Sequence, residues 1–203
     1  MRHAALTLAF LLGAHGAAAQ TLTPGERAAL VASLTATHEQ LLTLTDRLTP
    51  EQWTFKPAPD RWSVGEVAEH LLLSERGITQ IIEGPLMQNP RGDSTIESKA
   101  ADITAVMLDR SRTFNAPAQA QPQGQHSTPA TFRDAWTPER QATIELVESE
   151  VKLHDYALQN PTAGVIDGHD WLVFLVTHNQ RHLLQMEEVM RHPDFPPAES
   201  SSN

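Results

Sequence analysis

The sequence predicts an all-α protein, a four-helix bundle closed by one long crossover connection. Three observations carry that expectation. Four long segments repeat apolar residues at the three-to-four spacing of a helix face. The starts of these segments carry capping residues. Residues 115–129, by contrast, hold three prolines and one glycine without periodicity, as a long connection would.

The first helix opens at Thr23-Pro24-Gly25-Glu26, a capping box with proline in the first turn. Leu30, Leu34, His38, Leu41 and Leu48 follow one stripe, and Pro50 closes the segment. Residues 52–61 carry Trp53, Phe55, Pro57 and Pro59 and read as an ordered loop over the bundle end. The second helix has Ser63 as its cap and Glu66 three residues on, with Trp62 placed to staple onto Val67. It runs through His70, Leu71 and Ser74 to Ile82, and Gly84-Pro85 ends it. Residues 89–98 are polar and loop-like, and a shorter helix is expected over 101–114. Beyond the crossover, the third long helix is expected over 130–159, with Ile144, Val147, Val151 and Leu158 on its apolar side. Pro138 marks either a kink or a restart capped by Thr137. Asn160-Pro161 and Gly164 break the chain before the last helix, capped at about Asp167 and ending near Arg191.

Arg2 and His3, the apolar run 4–12 and Ala17-Ala18-Ala19 before Gln20 have the layout of a secretory signal peptide. The expected organisation is a signal peptide over 1–19, one helical domain over 20–196 and a disordered tail over 197–203, with the protein exported to the periplasm or the medium. No later stretch is apolar over the roughly 20 residues that a membrane helix needs, so no membrane contact is expected after signal removal. The formal net charge of −10 disfavours nucleic acid and anionic membranes as partners. The absence of cysteine excludes disulfides, thiolate metal sites and a cysteine nucleophile. There is no glycine-rich phosphate loop and no Gly-x-Ser-x-Gly elbow.

The chemistry gathers on histidines. His178 and His182 are four residues apart on the last helix, so both rings leave one face, which also carries Trp171, Leu175 and Val189. A third candidate, His70, lies on the second helix. Neutral imidazoles bind Zn, Ni, Cu or Fe, and a three-histidine set leaves at least one coordination position free for water or substrate. Gln185, three residues after His182, could reach a substrate or metal-bound water. Glu66, one turn before His70, reads first as a cap. The plainer reading is that histidines four apart are core residues, and His38 is taken as a satisfied core histidine rather than a fourth ligand. His126, His154, His169 and His192 are expected to be exposed. Trp53, Trp62, Trp136 and Trp171, with Phe174 and Met186, read as packing.

Trp62-Ser-Val-Gly-Glu-Val-Ala-Glu-His70-Leu, followed by His178-x-x-x-His182 with Gln185 behind it and the proline-rich middle, resembles the DinB-like superfamily over roughly 22–196. The resemblance implies a four-helix bundle with a long crossover and a divalent metal, Zn or Ni foremost, on His70, His178 and His182. Activities in the wider family include thiol-cofactor S-transferases and a maleylpyruvate isomerase. The thiol-transferase members work in the cytoplasm, whereas this chain reads as exported, so the substrate stays open. The function expected is a metal-dependent hydrolase or group transferase acting on a small molecule. The alternative is a non-enzymatic bundle that binds a ligand or partner, its metal structural or absent. A di-iron site is disfavoured, because no glutamate stands three residues before His178 or His182. Dimerisation through an exposed helix face is left open by the residues.

Overall fold

The computed structural model describes residues 21–92 and 94–198. The signal-peptide assignment to 1–19 and the last five residues of the expected tail lie outside them.

Among the described residues six α-helices follow one another: α1 (Pro24–Thr45), α2 (Pro50–Thr54), α3 (Val64–Ile81), α4 (Ala100–Leu108), α5 (Pro129–Glu148) and α6 (Gly168–Met190). Reciprocal capping boxes at Thr23/Glu26 and Ser63/Glu66 start α1 and α3 as their sequences require. Two more, Thr49/Gln52 and Thr128/Thr131, start α2 and α5. The expected loop over 52–61 therefore opens with a helical turn. Its Trp53 packs so closely on α3 that a Cβ at Gly65 would lie 2.6 Å from the indole nitrogen.

Four long helices form the bundle. α5 and α6 each pack against both α1 and α3, which face one another across it, while α4 lies along α6. The expected all-α four-helix bundle is therefore the observed architecture, with the stretch 109–128 as its crossover. Local differences have physical causes. α5 does not restart at Pro138, and the helix runs through that residue. α5 stops at Glu148 rather than 159, and Val151 and Leu158 are not on it. Ala157–Asn160 instead forms β1, paired antiparallel with β2 (Gly164–Asp167). β2 opens on Gly164 at φ 77°, in the left-handed region that glycine favours. α4 ends at Leu108, short of 114, because the Arg181 guanidinium of α6 takes the carbonyls of Met107, Asp109 and Arg112. α3 runs on into a single π-helical turn, Ile82–Leu86, which contains Pro85.

The apolar interior is divided in two. One cluster gathers Leu30, Leu34, Ile78, Ile82, Val147 and Leu175. The other gathers Leu41, Leu71, Phe132, Trp136, Leu183 and Met186. Between them lies a buried polar layer. Arg140 of α5 donates to Glu75 of α3 at 2.7 Å and to Thr37 and the Leu34 carbonyl of α1 at 3.0 and 2.9 Å. Thr143 of α5 and Asn179 of α6 also donate to Glu75, at 2.8 and 3.1 Å. One carboxylate and one guanidinium thus tie all four long helices. Ser74 and His178 adjoin members of this layer in the chain.

Candidate metal centre

His70 projects from the second turn of α3, and His178 and His182 from successive turns of α6, the spacing that puts two side chains on one helix face. Because α3 and α6 are packed neighbours, the three rings meet. Ring centroids are 5.1 Å apart for His70 and His178, 4.6 Å for His70 and His182, and 4.4 Å for His178 and His182. One nitrogen from each can be chosen so that all three lie within 4.8 Å of one another.

The hydrogen bonds fix which nitrogen faces the centre. His70 Nδ1 lies 2.7 Å from the Ala120 carbonyl, which can only accept, so that nitrogen carries the proton and Nε2 presents a bare lone pair. His182 Nδ1 lies 2.8 Å from Gln185 Oε1 and is oriented in the same way. Such outer partners orient metal-binding histidines and raise their basicity. His178 Nε2 is 3.3 Å from His70 Nε2 and its buried Nδ1 has no partner among the described residues. Ligand atoms on a tetrahedral ion with bonds of roughly 2.0–2.1 Å stand about 3.3–3.4 Å apart, so the His70–His178 separation already suits one.

Electrostatics keep the set neutral and ready to bind. Burial lowers the pKa of all three rings. For His178 the value falls to about 3, with His70 and Arg181 adding to the effect of burial. His182 is held well below its ordinary value by burial and then by His178 and His70. Neutral imidazoles are the metal-binding form.

The other residues singled out in the sequence fall elsewhere. His38 accepts a hydrogen bond from Trp136 Nε1 at 3.0 Å, making it a satisfied histidine of the bundle. Glu66 closes the α3 capping box and pairs with Lys56 at 2.9 Å. Trp53, Trp136 and Trp171 are buried, whereas Trp62 is half-buried with its ring 4.9 Å from that of His70. None of the four histidines expected at the surface is fully exposed, and His126 and His192 are half-buried. His169 is buried, and His154 is half-buried between Asp167 and Glu26 at 2.7 and 3.2 Å. Both belong to the end of the bundle where α1 and α6 begin. Asp167, His169 and Asp170 there also bring ligand atoms within 4.8 Å. Their carboxylates are committed to the fold, Asp167 capping α6 and Asp170 accepting from Ser98 Oγ and the Lys99 amide. Sequence reasoning missed the Ala120 carbonyl as a partner of His70, since a backbone group fifty residues away leaves no signal in residue type.

Residues 33–186 match the profile of the DinB superfamily, which is most of the chain. The chain belongs to that superfamily. Among curated proteins, this DinB chain is 23% identical over 143 residues to Bacillus subtilis (strain 168) YuaE, described as uncharacterized, covering 70% of this chain and 85% of YuaE. Its fold is also that of Bacillus subtilis YfiT, at a TM-score of 0.55 and 13% identity over 84% of this chain and 89% of that one. YfiT is described as "a probable metal-dependent hydrolase with an unusual four-helix bundle topology".

Proposed function

We propose that this DinB protein binds one divalent metal ion through Nε2 of His70, His178 and His182 and is a hydrolase or group transferase acting on a small molecule at the remaining coordination position. The observation that carries this reading is the inward-facing pair of bare lone pairs, on His70 and His182, each set by an acceptor behind the ring. The description of YfiT supports the hydrolytic class. A metal held by three neutral ligands would supply its undiminished charge to polarise a carbonyl or phosphoryl group and to lower the pKa of water. Zn and Ni suit an all-imidazole set.

The chain's own residues do the rest. Ala120 and Gln185 fix ring tautomers and orientations. Trp62 packs on one side of His70, and Phe174 stacks on His178 with centroids 6.0 Å apart, so aromatic rings flank the site on two sides. Trp62 and Gln185, which contact His70 and His182, also line an open groove of about 350 Å³ with Arg61 and His192 on its wall, although none of the three histidines lines it. The arrangement of residues 1–20 supports export as part of the same proposal.

The test is metal content of the untagged protein beside a His178→Ala/His182→Ala variant. The expected result is about one divalent ion per chain, lost in the variant, followed by screening the loaded protein for ester, amide and phosphoester hydrolysis. Lack of metal in the parent after reconstitution with Zn or Ni would reduce the histidines to packing and leave a non-enzymatic binding bundle.

A further inference from the structure

Ser74 stands one turn after His70 on α3 and is buried, with its Oγ 3.4 Å from His70 Nε2, the nitrogen that faces the centre. Among the described residues it is the one group outside the triad in hydrogen-bond contact with that nitrogen. Its orientation differs from that of its neighbours. Thr37, Thr45, Thr79 and Thr177 each turn the hydroxyl back to the carbonyl four residues earlier, the usual habit of a hydroxyl in a helix. Ser74 turns its hydroxyl into the site instead.

The proton count explains where that hydroxyl must act. His70 Nδ1 carries the ring proton for the Ala120 carbonyl, so Nε2 has one in-plane lone pair. Ser74 Oγ–H points at it from 3.4 Å, and His178 Nε2, the atom that would share a metal ion with it, lies 3.3 Å away. A metal ion that takes this lone pair leaves the Ser74 proton to be given to another acceptor on the same side of the site. A ligand at the coordination position that the histidines leave open is such an acceptor.

We infer that Ser74 is a positioning residue whose hydroxyl donates a hydrogen bond to an anionic or carbonyl oxygen, or an equivalent anion, bound at the open position of the three-histidine site. The inference rests on the metal-site reading above and adds the group that selects what binds there. It assigns the ligand class as hydrogen-bond acceptors, because a hydroxyl whose proton faces the site rewards an acceptor and penalises a group that only donates.

Cobalt(II) and azide test it without any need for the substrate. The full-length protein is loaded with cobalt(II), metal affinity is measured by the visible absorption it develops, and azide is then titrated in. Ser74→Ala is expected to leave cobalt affinity indistinguishable from the parent and to weaken azide by about tenfold, the worth of one hydrogen bond to a charged group. Ser74→Thr, which keeps the hydroxyl, is expected to restore azide binding. Equal azide affinity in parent and alanine variant would overturn the inference. So would a collapse of cobalt affinity in the variant, which would make Ser74 a ligand. A parent that takes up no cobalt would overturn the metal-site reading itself, and with it this role for Ser74.

Discussion

His154 sits between carboxylates from two helices, Asp167 at the start of α6 and Glu26 in the first turn of α1, with the His169 ring stacked 5.5 Å away. Burial opposes its positive charge, but the hydrogen bonds and charges of Asp167 and Glu26 prevail, and its pKa is raised above 6.5. A raised folded-state pKa means that the folded chain holds this proton more tightly than the unfolded one. The stabilisation is therefore complete below about pH 6.5 and is lost as pH rises through the folded value. His154→Gln should remove that loss, so the parent and the variant should differ in unfolding midpoint at pH 6 and converge towards pH 9. A constant difference across the range would refute the linkage. The same residue shows the limit of reading single side chains. In sequence His154 and His169 stand among polar and loop residues and look exposed. Both approach Glu26, more than a hundred residues earlier, a contact that no local pattern reports. His70, His178 and His182 were legible because two of them share one helix face and the third follows a strong cap.

At the scale of elements, the crossover is held to α3 by adjacent side chains. His70 takes the Ala120 carbonyl, while the buried Glu69 carboxylate accepts from the amides of Gly124 and Gln125 at 2.8 and 3.2 Å. The segment that orients a metal-site ring is thus fastened by the residue next to that ring. Glu69→Ala leaves the amides of two exposed residues without their protein acceptor, to be taken up by water. Its expected effect is faster hydrogen exchange over 118–126, with the amides of α5 and α6 unchanged, and weaker metal binding because His70 loses a fixed partner. Unaltered exchange in that stretch would show that the crossover is held by other contacts. Local capping explains why the starts of α1, α3 and α6 were readable, since each cap lies within three residues of what it satisfies. The ends were not. Val151 and Leu158 continue the spacing of Ile144 and Val147, but pairing of Ala157–Asn160 with Gly164–Asp167 makes them part of a loop and strand. Arg181 stops α4 from seventy residues away. Long-range partners set these ends, and periodicity carries no trace of them.

Across the whole molecule, the polar layer between the two apolar clusters is the strongest constraint on how α3 and α6 meet. Glu75 and Arg140 are almost wholly inaccessible to solvent. Burial holds the Glu75 carboxyl above its ordinary pKa despite the charge of Arg140, and it lowers that of Arg140. Such a pair adds little net stability over apolar replacements, yet breaking it on one side is expensive. Arg140→Met should therefore destabilise the protein by about 3–5 kcal/mol, a large part of the roughly 5–15 kcal/mol that holds a typical domain folded. The Glu75→Leu/Arg140→Met variant should recover much of that loss in urea unfolding, because no charge is left stranded in the core. Metal affinity separates the layer's two effects. Glu75 accepts from Asn179, the neighbour of His178, and follows Ser74 in the chain. The double variant should fold but bind metal more weakly than the parent, since α3 and α6 then meet through apolar contacts that specify no single register. Parent-like metal affinity in a stable double variant would show that packing alone sets the approach of the three histidines.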